Sequence, residues 1–362
     1  MTPSPTDPRW RDRRIAEAFG IRHPILLSPM AGAGGVELAV AVAAGGGLAA
    51  LPAAMLTPDT LAEQIAAFRA RIDAPINVNF FCHRQPDPVD ETAWQALLAP
   101  YYAEYHVGPP ASPPPARAPF GEAMADVVDA LRPEVVSCHF GLPAPHLLDR
   151  IRASGARLIA SATSVAEARA LDAAGVDAII AQGFEAGGHA GRFLRGDPAA
   201  QMGLFALLPQ IVDAVSVPVV AAGGIGDARG VAAALTLGAA AVQVGTAYLP
   251  TPESLIGAGH RAALTEERAE CTVFTNLFSG GLARGIPDRL IADIGPVHPA
   301  APPFPLASAG LAELRRAAEA RGEVSFTPIW SGQSARLGRA EPATALTERL
   351  AAGALALLGW SA

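Results

Sequence analysis

Short apolar runs rich in Val, Ile and Ala recur from residue 24 onward, and alanine-rich stretches of helical period lie between them. The runs predict strands over 24–28, 47–51, 75–80, 134–138, 157–161, 177–182, 217–222 and 240–245, eight in all. Helices are predicted over 57–71, 143–154, 164–174 and 227–237, with Thr57, Ser164 and Asp227 standing where an N-cap is wanted. Strands that are apolar at nearly every position and alternate with helices imply a parallel sheet covered on its outer face. Eight such units favour a closed (β/α)8 TIM barrel over an open doubly wound sheet, whose edge strands would read as more polar.

Two regions fall outside the repeat. Residues 83–119 contain nine prolines, six of them between Pro109 and Pro119, and predict an irregular insertion between the third and fourth strands. Beyond about Pro250 the pattern changes to helical segments and proline-rich loops, and Pro299, Pro302, Pro303 and Pro305 exclude a central strand near His298. The expected organisation is an N-terminal arm (1–22), a barrel (23–250) and a mostly helical C-terminal extension (251–362) that closes on the barrel mouth as a lid.

Composition narrows the function classes. With 362 residues and 51% of them hydrophobic, the chain can bury a large core. Charged residues are 17% and the formal net charge is -7, so no electrostatic footprint for nucleic acid is present. The longest apolar stretch, 36–55, is broken by Glu37 and by Gly45-Gly46-Gly47, which reads as helix, turn and strand rather than a membrane span. Residues 1–14 lack the apolar core of a secretory signal, and Cys82, Cys138 and Cys271 are odd in number and far apart. A cytoplasmic protein without membrane or nucleic-acid partners is expected.

The chemistry concentrates in 181–191, Ala-Gln-Gly-Phe-Glu-Ala-Gly-Gly-His-Ala-Gly, where His189 is offered from a glycine-rich loop just after a strand. Gly187, Gly188 and Gly191 let backbone approach a ligand, and an imidazole is the natural general base near neutral pH. The competing reading is a loop histidine donating to a backbone carbonyl. Glu185 would orient His189 or cap the loop. Asn79, His139, Ser161 and Gln182 also stand at the ends of apolar strands, where unsatisfied polar groups cost about 1 to 3 kcal/mol each, so a polar ligand is implied. His139 reads more readily as a core histidine satisfied by backbone, and His83 has weaker credentials.

Residues 221–227 and 243–247 suggest a phosphate cradle built from Gly223, Gly224, Gly245 and Thr246, the alternative being glycines needed only for tight turns. Neither a GxGxxG nor a Walker motif is present, which disfavours a dinucleotide fold and a P-loop. Without HExxH or a Cys/His cluster no metal site is expected, and no GxSxG elbow supports a hydrolase.

Over about 24–333 the chain resembles the nitronate monooxygenases, formerly called 2-nitropropane dioxygenases. The resemblance rests on Ser28-Pro29-Met30-Ala31-Gly32, Asn77-Val78-Asn79-Phe80-Phe81, the 181–191 loop, Ala222-Gly223-Gly224-Ile225 with Gln243-Val244-Gly245-Thr246, and Ser331-Gly332-Gln333. It implies FMN as cofactor, with Met30, Ala31 and Gly32 near the isoalloxazine, Asn79 and Gln182 hydrogen-bonded to it, and Gly187 and Gly188 lining it. Gly223, Gly224, Gly245 and Thr246 would hold the phosphate, Gln333 would reach back to the cofactor, and His189 matches the base. The implied partners are a small nitronate or nitroalkane and O2, with an oligomer left open. In the Ser279-Gly280-Gly281-Leu282-Ala283-Arg284 stretch, Gly281 replaces the larger side chain that the resemblance leads one to expect. The rival readings are a flavin enoyl-acyl-carrier-protein reductase using NAD(P)H and a non-catalytic barrel binding a phosphorylated metabolite.

Overall fold

The eight predicted runs form parallel strands that close on themselves. The computed structural model describes residues 6–110, 117–194 and 200–360. The barrel strands are β1 (Ile25–Leu27), β2 (Ala49–Pro52), β3 (Ile76–Phe81), β4 (Val135–His139), β5 (Arg157–Ala162) and β6 (Ala178–Gln182). After a two-residue strand β7 (Gly188–His189) come the last two, β8 (Val219–Ala222) and β9 (Ala241–Val244). They run β1-β9-β8-β6-β5-β4-β3-β2, all parallel. The seam between β1 and β2 is shut by Leu27 N–H to Leu48 O (3.0 Å) and Leu48 N–H to Ile25 O (2.9 Å). The chain is a (β/α)8 barrel.

Helices α1 (Arg14–Phe19), α2 (Val36–Ala44), α3 (Pro58–Arg69), α4 (Thr92–Tyr105), α5 (Glu122–Leu131), α6 (Pro145–Ala153), α7 (Val165–Ala173), α8 (Leu204–Val212) and α9 (Ala228–Thr236) follow in order. The three expected caps are made: Thr57 Oγ1 accepts from Thr60 N, Ser164 Oγ from Glu167 N, and Asp227 Oδ1 from Arg229 N.

Alternation along the strands sorts the core into two faces. Leu27, Val78, Phe80, Val136, Leu158, Ile179, Val219 and Val242 pack outward against the helices. The alternate positions Leu26, Val135, Ile159, Ile180 and Val220 pack inside the barrel against Ile15, Phe19 and Ile21. The arm at 1–22 is therefore no loose extension over its described part, because α1 plugs the barrel floor. Further along, the same inward positions turn polar: Asn77 and Asn79, Ser137, Ser161, Gln182 and Gln243. Polarity at one end of the cylinder is where a ligand has to sit.

The insertion differs from the expectation of irregular chain, and the mostly helical C-terminal third adds two features to it. The proline-dense segment at 83–119 contains α4, a 14-residue helix whose Trp94, Leu98, Tyr101, Tyr102 and Tyr105 recur at helical spacing and are buried. The C-terminal region is not only helical: besides α10 (Ala258–Ala263), α11 (Arg289–Ile294) and α12 (Ser308–Ala320) it contributes β10 (Val273–Thr275) and β11 (Ala283–Gly285). These form an antiparallel sheet β10-β11-β7 with the strand that carries His189. The two regions also build one core of their own: Trp94 Nε1 donates to Ala307 O (3.3 Å), and Tyr102 Oη to Gly310 O (2.7 Å).

The last helix, α13 (Ala343–Leu357), belongs to no lid. It packs between α9 and α2 as the eighth helix of the outer ring, with Leu346, Leu350, Ala354 and Leu355 in the main core. Leu350→Ala should therefore destabilise the whole protein by about 2 to 5 kcal/mol, as cavity formation in a core does. Urea unfolding followed by circular dichroism checks this, and a change below about 0.5 kcal/mol would mean that α13 is a detachable element.

Candidate active site

Past Gln182 the chain leaves the barrel rim, turns through 183–186 and enters β7, where Ala283 is the register partner of His189 and Arg284 that of Gly188. A buried amide fixes this turn. Gln182 Nε2 donates to the His189 carbonyl (2.9 Å), and Gln182 Oε1 accepts from Gly191 N (2.7 Å). With both ends engaged, Gln182 holds the histidine loop. His139 Nε2 approaches the same carbonyl (3.1 Å), and His139 Nδ1 lies 3.2 Å from Ser161 Oγ. Since a carbonyl only accepts, His139 carries its proton on Nε2 and takes the Ser161 hydroxyl at Nδ1. The expectation of a backbone-satisfied His139 agrees with this geometry.

The His189 imidazole projects into a box of rings. Phe304 lies 5.1 Å away between centroids, Trp330 5.6 Å, and Phe81 and Phe140 5.9 Å each. Its Nε2 is 2.8 Å from Ser279 Oγ. The side chain is half-buried by surface exposure, but the crowding of protein around the ring dominates its electrostatics. Desolvation, and then the positive charge of Arg117, hold its pKa well below the usual histidine value. The imidazole is neutral at neutral pH.

Glu185 does not orient His189. Its carboxylate accepts from Leu204 N at 2.9 Å and caps α8. Arg284 steadies the turn instead: Nε donates to Phe184 O (2.9 Å), an η nitrogen to Thr272 O (2.8 Å), and the guanidinium is stacked between Phe184 and Phe274. Gly281 is explained by the same packing. A Cβ built there meets the Phe304 ring at 3.2 Å, so Phe304 fills the space expected for a larger residue 281.

The late segment 331–333 returns to the rim. Gln333 N donates to Glu185 O (3.0 Å) and Gly332 N to Thr246 Oγ1 (2.9 Å), while the Gln333 side chain stays exposed. The approach demands glycine, since a Cβ on Gly187 would lie 2.5 Å from Gly332 N. Gly223 and Gly224 have φ of 109° and 69° and lead to the Asp227 cap of α9. Gly245 lies close over Ser28 and Met30, and no atom stands within 4 Å of a Cβ built on Gly32 or Gly188. Ala31 continues this partly exposed rim.

Sequence reasoning assigned Asn79 to the ligand, and its Nδ2 is taken by Ser137 O (3.2 Å) and Oγ (3.0 Å). Asn77, given no role from sequence, is the more open group: it is 1% exposed, and neither atom of its amide has a hydrogen-bond partner. Gln243 Oε1 is likewise buried without a partner. Buried amides in this state call for a polar partner, which a ligand edge or a bound water supplies. The inward parity of Asn77 and Asn79 on one strand was the available signal. Phe304 and Trp330 come from distant segments and had none, whereas Ser279 and Phe81 stand inside motifs quoted from the sequence without a role being given to them.

Residues 12–353 match a family model described as nitronate monooxygenase. The chain is 41% identical over 346 residues to a nitronate monooxygenase of Paraburkholderia phytofirmans, covering 93% of this chain and 94% of that protein. Against a nitronate monooxygenase of Pseudomonas aeruginosa it is 41% identical over 344 residues, covering 93% and 97%. Among solved structures, a nitroalkane oxidase from Streptomyces ansochromogenes aligns with a TM-score of 0.88 at 37% identity over 95% of this chain and 98% of that one. FabK from Thermotoga maritima aligns with a TM-score of 0.70 at 26% identity over 96% and 97%.

Burial holds the pKa of His139 down to about 4, against about 6.5 unfolded. The unfolded chain therefore binds the proton more readily, and the stability held by neutral His139 is lost as pH falls from 6.5 toward 4. The urea midpoint should fall between pH 7 and pH 5, and His139→Asn should make that slope shallower by one histidine's share, since His23, His83, His189 and His260 are lowered as well. An equal slope in the variant would contradict the linkage.

Proposed function

The chain belongs to the nitronate monooxygenase family, and on that premise we propose that it oxidises nitronates and nitroalkanes with O2, using FMN at the barrel rim and His189 as the base. The observation that carries the reading is a neutral imidazole held beside a glycine-lined opening whose deeper wall presents unpaired amides.

The residues fit FMN. Asn77 and Gln243 offer unpaired amide atoms to a polar ring edge. Met30, Ala31, Gly32 and Gly188 border the open space, and Gly187 keeps the late segment close. Gly223, Gly224, Gly245 and Thr246 would present backbone N–H groups and a hydroxyl to the phosphate, next to the positive end of α9. Gln333, Asn79 and Gln182 complete the assignment, the last two by holding the surrounding wall. Bound FMN would supply the electron exchange between a nitronate and O2, giving a carbonyl compound and nitrite.

The protein's own part is proton handling and exclusion of water. When a neutral nitroalkane binds, its α C–H bond breaks, the electron pair moves into the nitro group, and the proton passes to the imidazole lone pair. Ser279 Oγ lies 2.8 Å from His189 Nε2, and a serine that accepts from Nε2–H would leave the lone pair on Nδ1. A nitronate that arrives preformed bypasses this step. The four surrounding rings keep water from the imidazole and so keep it neutral.

His189→Asn is expected to retain FMN and to lose nitroethane turnover by about 100-fold or more, with a smaller loss for preformed ethyl nitronate. Full nitroethane turnover would overturn the base assignment. In the unmodified enzyme the base works when neutral, so kcat/KM for nitroethane is lost as pH falls through the pKa of His189. Because that value lies below 6.5, more than about half of the plateau should persist at pH 6.5. Gly224→Asp should abolish FMN absorbance in the folded protein, since it adds a second carboxylate at the proposed cradle, where a Cβ on Gly224 lies 3.4 Å from Glu185. Gly224→Asn, neutral and tolerant of positive φ, should keep more of it. Equal flavin content in the two variants would remove the cradle. Rapid anaerobic bleaching of the flavin by NADH or NADPH would replace the oxidase reading with the reductase one.

A further inference from the structure

Beside the ring box around His189 lies a cation with no ion-pair partner among the described residues. Arg117 lies with its guanidinium over Phe81 (5.6 Å) and Phe304 (5.8 Å), two of the rings that enclose the imidazole. Among the described residues no carboxylate forms an ion pair with it, although the chain has 34 acidic residues, and most of its other arginines on helices and loops do find such partners. Its backbone is fixed: the Arg117 carbonyl accepts from His83 Nε2 (3.1 Å) and Gln85 Nε2 (3.0 Å), and the His83 ring packs edge-on against Phe304 at 4.8 Å. A pocket of about 530 Å³ opens on the neighbouring side of Phe304 and Phe140; Arg84 and Arg192 are among its lining residues, and Arg117 reaches it only through the shared Phe304 ring.

A cation taken out of water without a counter-charge costs stability, so a position that keeps one gains most when an anion arrives. Cation–π contact with two rings offsets part of that cost and leaves the N–H donors at the guanidinium edge available. The substrate of the proposed reaction is itself an anion once the α-proton is gone. We propose that Arg117 is the specificity-determining residue of this site, reading the negative charge of the substrate through a paired N–H contact to two oxygens of a nitronate or carboxylate group. This rests on the nitronate-oxidising reading above and adds to it the residue that bears the substrate's charge.

Steady-state kinetics of the FMN-loaded wild type, Arg117→Met and Arg117→Lys test this with neutral nitroethane, ethyl nitronate and a nitronate that carries a remote carboxylate. Arg117→Met should raise KM for the anionic substrates about tenfold or more, as loss of a charged hydrogen bond does. It should change KM for nitroethane, which is neutral when it binds, by less than about threefold, while kcat for nitroethane falls because its nitronate forms beside the lost charge. Arg117→Lys should recover part of the loss. A rise shared by both anions puts the contact at the nitronate oxygens, and a rise confined to the carboxylate-bearing substrate puts it at the far end; either supports the proposal. Equal effects on KM for neutral and anionic substrates, or none on either, overturn it. Spectral titration of the bound flavin with nitrate, a planar anion, gives a readout without turnover, and its Kd should weaken in parallel. Should Arg117→Met lose flavin, Arg117→Gln takes its place. A wild type that binds nitrate but oxidises none of the three substrates would fail the oxidase reading while leaving Arg117 as an anion site.

Discussion

One carbonyl organises the candidate site. The backbone oxygen of His189 is held by the Gln182 amide from the end of β6 and by His139 from the end of β4, so two barrel strands grip the peptide that carries the imidazole. The other end of the Gln182 amide secures Gly191, which turns a glycine-rich loop into a rigid bracket. Glycine is required there for a reason that now has a partner: a Cβ on Gly191 would meet the His139 ring at 2.7 Å. The permissive residues of the loop thus serve contact rather than mobility.

A barrel rim alone would leave the imidazole in water. The ring box is assembled from β3 (Phe81), the turn after β4 (Phe140) and two places far along the chain (Phe304 and Trp330). The proline-rich insertion and the C-terminal region meet in a core of their own, which gives that wall a support independent of the barrel. Burial then sets the charge state of His189, and the charge state sets what chemistry is open to it. Packing, ionisation and the proposed reaction form one causal line.

The barrel was legible because its signal is local: apolar runs, capped helices and their alternation are all readable within about fifteen residues. Asp227 and Ser164 announce helices by residue type alone. The glycines of the rim were legible for the same reason, as was a histidine set among them. What escaped is non-local or masked. Helix α4 has a clean apolar stripe, yet the prolines around it, including Pro100 within it, outweighed that stripe. The β10-β11-β7 sheet uses strands of two or three residues, too short for any periodicity. Asn77 differs from Asn79 only in depth, which no pattern of residue types encodes, and Ser279 meets His189 across 90 positions.

The histidine strand is shared property. Its backbone is gripped from the barrel side by Gln182 and His139, while its edge is zipped to β11 of the C-terminal region. The glycines at 223, 224 and 245 stand on the barrel alone. The two can therefore be altered separately: changes in the segments that contribute Arg117 and Phe304 act on the wall beside the imidazole and leave the barrel frame untouched. A chimera cut at β11 itself would instead unzip the imidazole from its mooring.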